Sequence, residues 1–182
     1  MTTIDTLIQR NEEFAAHHFA AGLSLLPRLG TLIITCADPR VDPAYVLGVE
    51  PGEALVIRNI GGRIAPATLQ TMGLLGMIPQ LEGAGPVSGL NLVVMQHTDC
   101  GIIRLARVPG ELAAYLGVAP EELEAKAVGD PYAAVAVDVA ALRSNPSLPP
   151  GVIVSGFVYD VETGRVALVA PPAPLQTDQA VA

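Results

Sequence analysis

Two short runs of β-branched and aliphatic residues, each stopping at a side chain that can bind metal, constrain this chain most. Thr31-Leu32-Ile33-Ile34-Thr35 ends at Cys36, and Asn91-Leu92-Val93-Val94-Met95-Gln96 ends at His97. Short apolar runs without polar alternation suit strands buried on both faces, which means a parallel sheet under helices. Two further runs read the same way. Ala54-Leu55-Val56-Ile57-Arg58 leads into Asn59-Ile60-Gly61-Gly62, and the other spans Val152 to Tyr159. Helical spacing fills the intervals. Ile4 to Ala21 carries apolar residues at Ile4, Leu7, Ile8, Phe14, Ala15 and Phe19, with Thr3 or Asp5 to cap it and Gly22 beyond it. Further helical segments are expected near Pro66 to Met77, Glu111 to Leu116, Pro120 to Val128 and Tyr132 to Arg143. Asp160 to Gly164 makes a turn into Arg165 to Val169, an antiparallel edge strand.

Strands alternating with helices imply an α/β fold: a mostly parallel central sheet with an antiparallel edge strand, flanked by helices. The chain has 182 residues, enough for one domain with a substantial core. Residues 1–170 read as that domain, and residues 171–182, rich in Pro, Ala and Gln, as a disordered tail. Apolar residues make up 51% and aromatics 4%, so Val, Leu, Ile and Ala must build the core.

The formal charge of -8 repels a phosphate backbone and argues against nucleic acid as a partner. Met1 to Asp5 has neither a basic nor an apolar signal region. The most apolar stretch, Ile64 to Leu81, is interrupted by Pro66, Thr68, Gln70, Thr71 and Pro79, which does not suit a membrane span. A cytoplasmic protein is expected. Gly83 to Gly89 lacks a Lys-Ser/Thr ending and precedes a strand, so it reads as a flexible connection rather than a phosphate-binding loop.

The chain has two cysteines. In a reducing compartment they do not suit a disulfide, which leaves ligand, nucleophile or core packing. Their placement favours a ligand role. In open parallel sheets, sites form beyond the carboxyl ends of strands. Cys36 ends one predicted strand, and Cys100 follows the end of another, three residues after His97. Two thiolates and an imidazole suit tetrahedral zinc, and three protein ligands leave the fourth position that catalytic zinc keeps open. Asp38 can reach the same region, either to orient a nucleophile by accepting its hydrogen bond or to ligate the metal and close the site. Arg40 can hold Asp38 off the metal by a bidentate pair, unless the two form only a surface ion pair.

Arg58, Gly61 and Gly62 are candidate substrate-binding residues at the end of the second strand. Arg58 can bind a small anion in the cleft or brace a carboxylate at the strand end, and the glycines serve a tight turn. Asp99 is expected to cap or orient the Cys100 loop. His17 and His18 read as surface residues rather than proton shuttles.

Taken in order, Cys36-Ala37-Asp38-Pro39-Arg40-Val41, Pro51-Gly52-Glu53, Val56-Ile57-Arg58-Asn59 and His97-Thr98-Asp99-Cys100-Gly101 resemble the signatures of β-class carbonic anhydrases. A fainter likeness continues through Leu142-Arg143-Ser144-Asn145-Pro146 to Gly156-Phe157-Val158-Tyr159-Asp160. The resemblance implies Zn2+ on Cys36, His97 and Cys100, with Asp38 and Arg40 as a catalytic dyad. It also implies Asp38 as a possible fourth ligand in a closed state, and a homodimer or dimer of dimers in which the N-terminal helix packs on a partner.

Two departures narrow the match. Thr68-Leu69-Gln70-Thr71-Met72 stands where many members have Ser-x-Glu-Tyr, and Ser24 to Gly30 lacks the Gln found in many plant-type members. Asn59-Ile60-Gly61-Gly62 and the His-Thr-Asp-Cys-Gly form resemble the compact bacterial subgroup, which also resembles carbonyl sulfide and carbon disulfide hydrolases. The expected activity is reversible hydration of carbon dioxide to bicarbonate. The alternatives are hydrolysis of carbonyl sulfide or carbon disulfide, and a zinc-containing scaffold or sensor without turnover.

Overall fold

The structure is a computed structural model, and it describes residues 2–81 and 89–176. Four parallel strands form the centre: β1 (Thr31–Cys36), β2 (Ala54–Asn59), β3 (Asn91–His97) and β4 (Ile153–Tyr159). The fifth, β5 (Val166–Pro174), runs antiparallel along β4, and the spatial order is β2-β1-β3-β4-β5. The helices are α1 (Thr3–His17), α2 (Pro43–Val46), α3 (Pro66–Leu81), α4 (Pro109–Leu116) and α5 (Pro131–Arg143). The α/β expectation and its antiparallel edge both hold.

The chain leaves β1 for β2 on one side, then returns for β3 on the other. The carboxyl ends of β1 and β3 therefore flank a reversal in strand order, where open sheets form binding crevices. Register brings the two ends level, with Thr31 opposite Asn91 and Thr35 opposite Met95. β1 and β3 are aliphatic because both of their faces are buried. Leu32, Ile34, Leu92 and Val94 are buried in one cluster with Val135 and Val139 of α5. The approach of α5 to β4 depends on Gly156, where an added Cβ would lie 2.9 Å from Val139 Cγ2.

Several boundaries differ from the sequence reading. α1 spans Thr3–His17 and is capped by Thr2, whose hydroxyl accepts from Asp5 N while the Asp5 carboxylate accepts from Thr2 N. Residues 120–128 do not form one helix. They make two 3₁₀ turns, Pro120–Glu122 and Glu124–Lys126, ended by Ala127 at φ 50°. The four-residue α2 and a 3₁₀ segment at Gly101–Arg107 were not anticipated.

The supposed tail also needs correcting. Residues 171–174 belong to β5, where Ala173 pairs with Val154 and Pro174 with Ile153. An edge strand tolerates proline because one side of its backbone has no ladder to complete. Arg143 secures this end by donating from Nη2 to the carbonyls of Val154 and Pro171, at 2.8 and 2.5 Å. Residues 83–88 of the expected flexible connection and 177–182 of the expected tail lie outside the described residues.

Candidate metal centre

Cys36 closes β1 and His97 closes β3. Cys100 enters from the turn that follows, where Asp99 takes a left-handed φ of 52°. Hydrogen bonds pin this turn to β4, with Thr98 N donating to Tyr159 O at 3.0 Å and Val161 N to Thr98 Oγ1 at 3.1 Å. All three candidate ligands are buried, and their donor atoms lie within 4.8 Å of one another. The two sulfurs are 3.7 Å apart and both thiols are free.

His97 is 1% exposed. Its Nδ1 sits 2.8 Å from the Thr98 carbonyl, which fixes the proton on that nitrogen and leaves a lone pair on Nε2. Nε2 is buried with no hydrogen-bond partner among the described residues. An orphaned imidazole nitrogen facing two sulfurs is the donor set that could hold a tetrahedral metal ion.

The sulfurs are prepared for it. The Cys100 thiol donates to Cys36, the largest influence that holds the Cys36 thiol down, to about 4. The backbone amides of Asp38 and Gly61 act in the same direction. Cys100 is pushed up, first by that shared hydrogen bond and then by burial. On His97 burial is the largest influence and pulls downward, yet Cys36, the Thr98 carbonyl and Asp38 together outweigh it and raise the group.

Asp38 stands beside this cluster, its Oδ2 4.0 Å from His97 Nε2. Arg40 engages both carboxylate oxygens, from Nε to Oδ1 at 3.0 Å and from Nη2 to Oδ2 at 2.7 Å, and the Arg40 amide adds a 2.9 Å bond to Oδ1. The Arg40 side chain is the main cause that lowers Asp38 to about 2. Asp99 does more than orient its loop. Its carboxylate accepts from Arg40 Nη1 at 2.9 Å and its carbonyl from Nη2 at 3.0 Å, so it clamps the far side of the guanidinium. A carboxylate within a ligand loop, and an arginine two residues after another, was the only sequence signal for that contact.

Arg58 makes the contacts of the bracing role expected for it. It donates to the carbonyls of Cys36 (3.0 Å) and Asp38 (2.6 Å) and pairs with Asp42 at 2.6 Å. It thereby shapes the loop that carries Cys36, Asp38 and Arg40. Gly61 and Gly62 have φ of 76° and 63° and form a turn against the strand ends. A Cβ on Gly62 would lie 2.9 Å from Met95 O and 3.0 Å from Cys36 N, so only glycine fits beside the ligand strands. His17 and His18 lie at the exposed end of α1.

Known proteins carry the same arrangement of sequence and fold. The family model for carbonic anhydrase matches residues 31–129. Beta-carbonic anhydrase 1 of Mycobacterium tuberculosis is 27% identical over 173 residues, covering 94% of this chain and 100% of the relative. Carbon disulfide hydrolase of an Acidianus strain is also 27% identical, over 190 residues, covering 90% of this chain and 87% of the relative. The crystal structure of a carbonic anhydrase from Streptococcus mutans superposes with a TM-score of 0.68 at 31% identity, covering 93% of this chain and 98% of that one. The matched segment begins at β1 and contains all three candidate ligands, Asp38 and Arg40. On this evidence the chain belongs to the β-carbonic anhydrase family.

Proposed function

We propose that Cys36, His97 and Cys100 hold Zn2+ and that the chain catalyses reversible hydration of carbon dioxide to bicarbonate. The observation that carries this reading is the orphaned His97 Nε2, converging with two sulfurs beside a carboxylate already engaged by arginine. Zinc at such a site supplies a Lewis acid that makes hydroxide available near neutral pH. The chain's own residues supply the rest. Asp38, ionised and fixed, accepts a hydrogen bond from the nucleophile's O–H and so aims its lone pair at the carbon. Arg40 keeps the Asp38 carboxylate turned toward itself rather than onto the ligands, and Asp99 steadies Arg40. A scaffold role, with Asp38 itself a ligand, fits poorly with three hydrogen bonds from Arg40 to that carboxylate.

The carbon disulfide hydrolase relative supports a second reading, since its identity to this chain equals that of the carbonic anhydrase from M. tuberculosis. Carbonyl sulfide and carbon disulfide are linear and apolar like carbon dioxide, and the same Asp38 would orient attack on any of them. Metal analysis joined to turnover of each gas separates the readings. About one zinc per chain with carbon dioxide the preferred substrate is expected, and preferred release of sulfide would move the assignment to the hydrolase.

We also assign α1 to an interface between two copies of the chain. It has no buried residue, and it exposes Ile4, Leu7 and Ile8, which share one helical face. The single domain, which runs through the end of β5 at Pro174, is then completed by a second copy.

A further inference from the structure

Beneath the candidate centre lies a buried polar cluster that none of the chemistry above uses. Asp138 on α5 is 2% exposed and Arg63 is 1% exposed. The Asp138 carboxylate accepts from Arg63 Nε at 2.7 Å, Arg63 Nη2 at 3.2 Å, Ile64 N at 3.3 Å and Gln96 Nε2 at 3.0 Å. Arg63 Nη2 also donates to the Lys126 carbonyl at 2.8 Å, and Arg63 Nη1 has no partner among the described residues. A buried ion pair is a poor source of stability, because desolvating two charges offsets most of their attraction. An incompletely paired one is poorer still. What such a cluster does supply is fixed geometry.

Its donors come from the two backbone segments that frame the ligands. Gln96 is the residue before His97, so its side chain ties the end of β3 to α5. Arg63 follows Gly62, which presses on the backbone of Cys36 and Thr35, and Gly61, whose amide supports the Cys36 sulfur. Asn59 closes the same turn, accepting from Arg63 N at 2.8 Å and donating to Arg63 O at 2.8 Å, while its own carbonyl accepts from Ala37 N at 2.7 Å. One carboxylate therefore joins the segment behind Cys36 to the segment carrying His97.

We infer that Asp138 is a positioning residue for the metal centre: through Arg63 and Gln96 it sets the spacing between the Cys36 and His97 strand ends. This rests on the reading of Cys36, His97 and Cys100 as metal ligands. Groups behind a metal's ligands commonly change affinity by about 10- to 100-fold when removed.

The test uses full-length protein loaded with Zn2+ or, for its visible spectrum, Co2+. Asp138→Asn alone strands the Arg63 charge, so it is paired with the double variant Arg63→Met/Asp138→Leu, which removes both charges together. Gln96→Leu cuts only the β3 link. Val152→Ala, at the opposite end of the sheet, serves as a destabilised control.

In folded variants the inference expects zinc affinity about tenfold weaker and a changed cobalt ligand-field spectrum, with Gln96→Leu intermediate and Val152→Ala unchanged. Wild-type affinity and spectrum in the double variant and in Gln96→Leu would overturn it, as would an equal loss in Val152→Ala. Wild-type protein that takes up neither metal overturns the metal reading itself, and the inference with it.

Discussion

Asp38 carries the residue-scale account because Arg40 holds its carboxylate beside the Cys36, His97 and Cys100 cluster. Arg40 holds its carboxyl at about 2, below the ordinary carboxylate value. The sign follows: what the ionised Asp38 contributes is present above the unfolded carboxylate value and is lost only as pH falls through about 2. It is therefore fully ionised from pH 5 upward, so on the proposed zinc reading a change in rate between about pH 6 and 9 would come from activated water rather than from Asp38. Asp38→Asn should lower kcat by about 10²-fold, keep the wild-type zinc content and leave the midpoint of the pH–rate profile where it was. Stopped-flow kinetics on both proteins checks this, and a displaced midpoint would make Asp38 the titrating group. At this scale the Cys36, His97 and Cys100 cluster and the Asp38-Arg40 pair were legible, because each lies next to a strand end. Asp99 as a clamp and Arg58 as a brace were not, since a sequence says nothing about which way a surface-type side chain turns.

At the scale of elements, the glycine turn after β2 matters most. Gly62 has a positive φ and no room for a Cβ against Met95 O and Cys36 N. Gly62→Ala should cost about 1–3 kcal/mol of stability and weaken metal binding as well, because the displaced atoms adjoin a ligand. Urea unfolding with parallel zinc titration tests both; a stability loss with unchanged zinc affinity would separate the turn from the centre.

The strands were the most legible elements, since four aliphatic runs between polar breaks leave few alternatives. Residues 120–128 misled because Pro120 suits a helix's first turn and Glu and Leu its interior, whereas Ala127 turns left-handed at φ 50° and ends the segment before Asp130 caps α5 by accepting from Tyr132 N at 2.9 Å. The prolines of β5 misled in the opposite sense, looking like breakers where an edge strand accommodates them. Arg63 and Asp138, 75 residues apart in sequence, gave no local sign that they meet.

For the whole molecule, the open question of shape is what α1 rests against. Besides its exposed apolar face, Phe19, Leu25 and Leu26 are also exposed, and exposed apolar surface of this kind marks interaction sites. A cavity of about 860 Å³ lined by Leu25, Leu26, Leu55, Met72 and Leu75 lies on the same side of the sheet as α3. A stable self-association buries about 1,600 Å² in total, and these surfaces are of the kind that fill it. Leu7→Asp with Ile8→Asp should convert a dimer to a monomer in sedimentation velocity; a wild-type chain that sediments as a monomer would rule the interface out. Among the described residues no helix is long and apolar enough to cross a membrane. The overall order of strands and helices followed from hydrophobic periodicity, while a second copy was implied in the sequence only by the family resemblance and is supported here by the exposed apolar face of α1.

The central claim is that three ligands at two strand ends and one oriented carboxylate make a carbon dioxide hydration catalyst. Its most direct test is stopped-flow hydration on protein of known metal content, across about pH 6.5 to 9. The account predicts fast turnover that rises with pH, scales with zinc per chain and disappears in His97→Ala. Zinc near one per chain with no hydration at any pH in that range would contradict it.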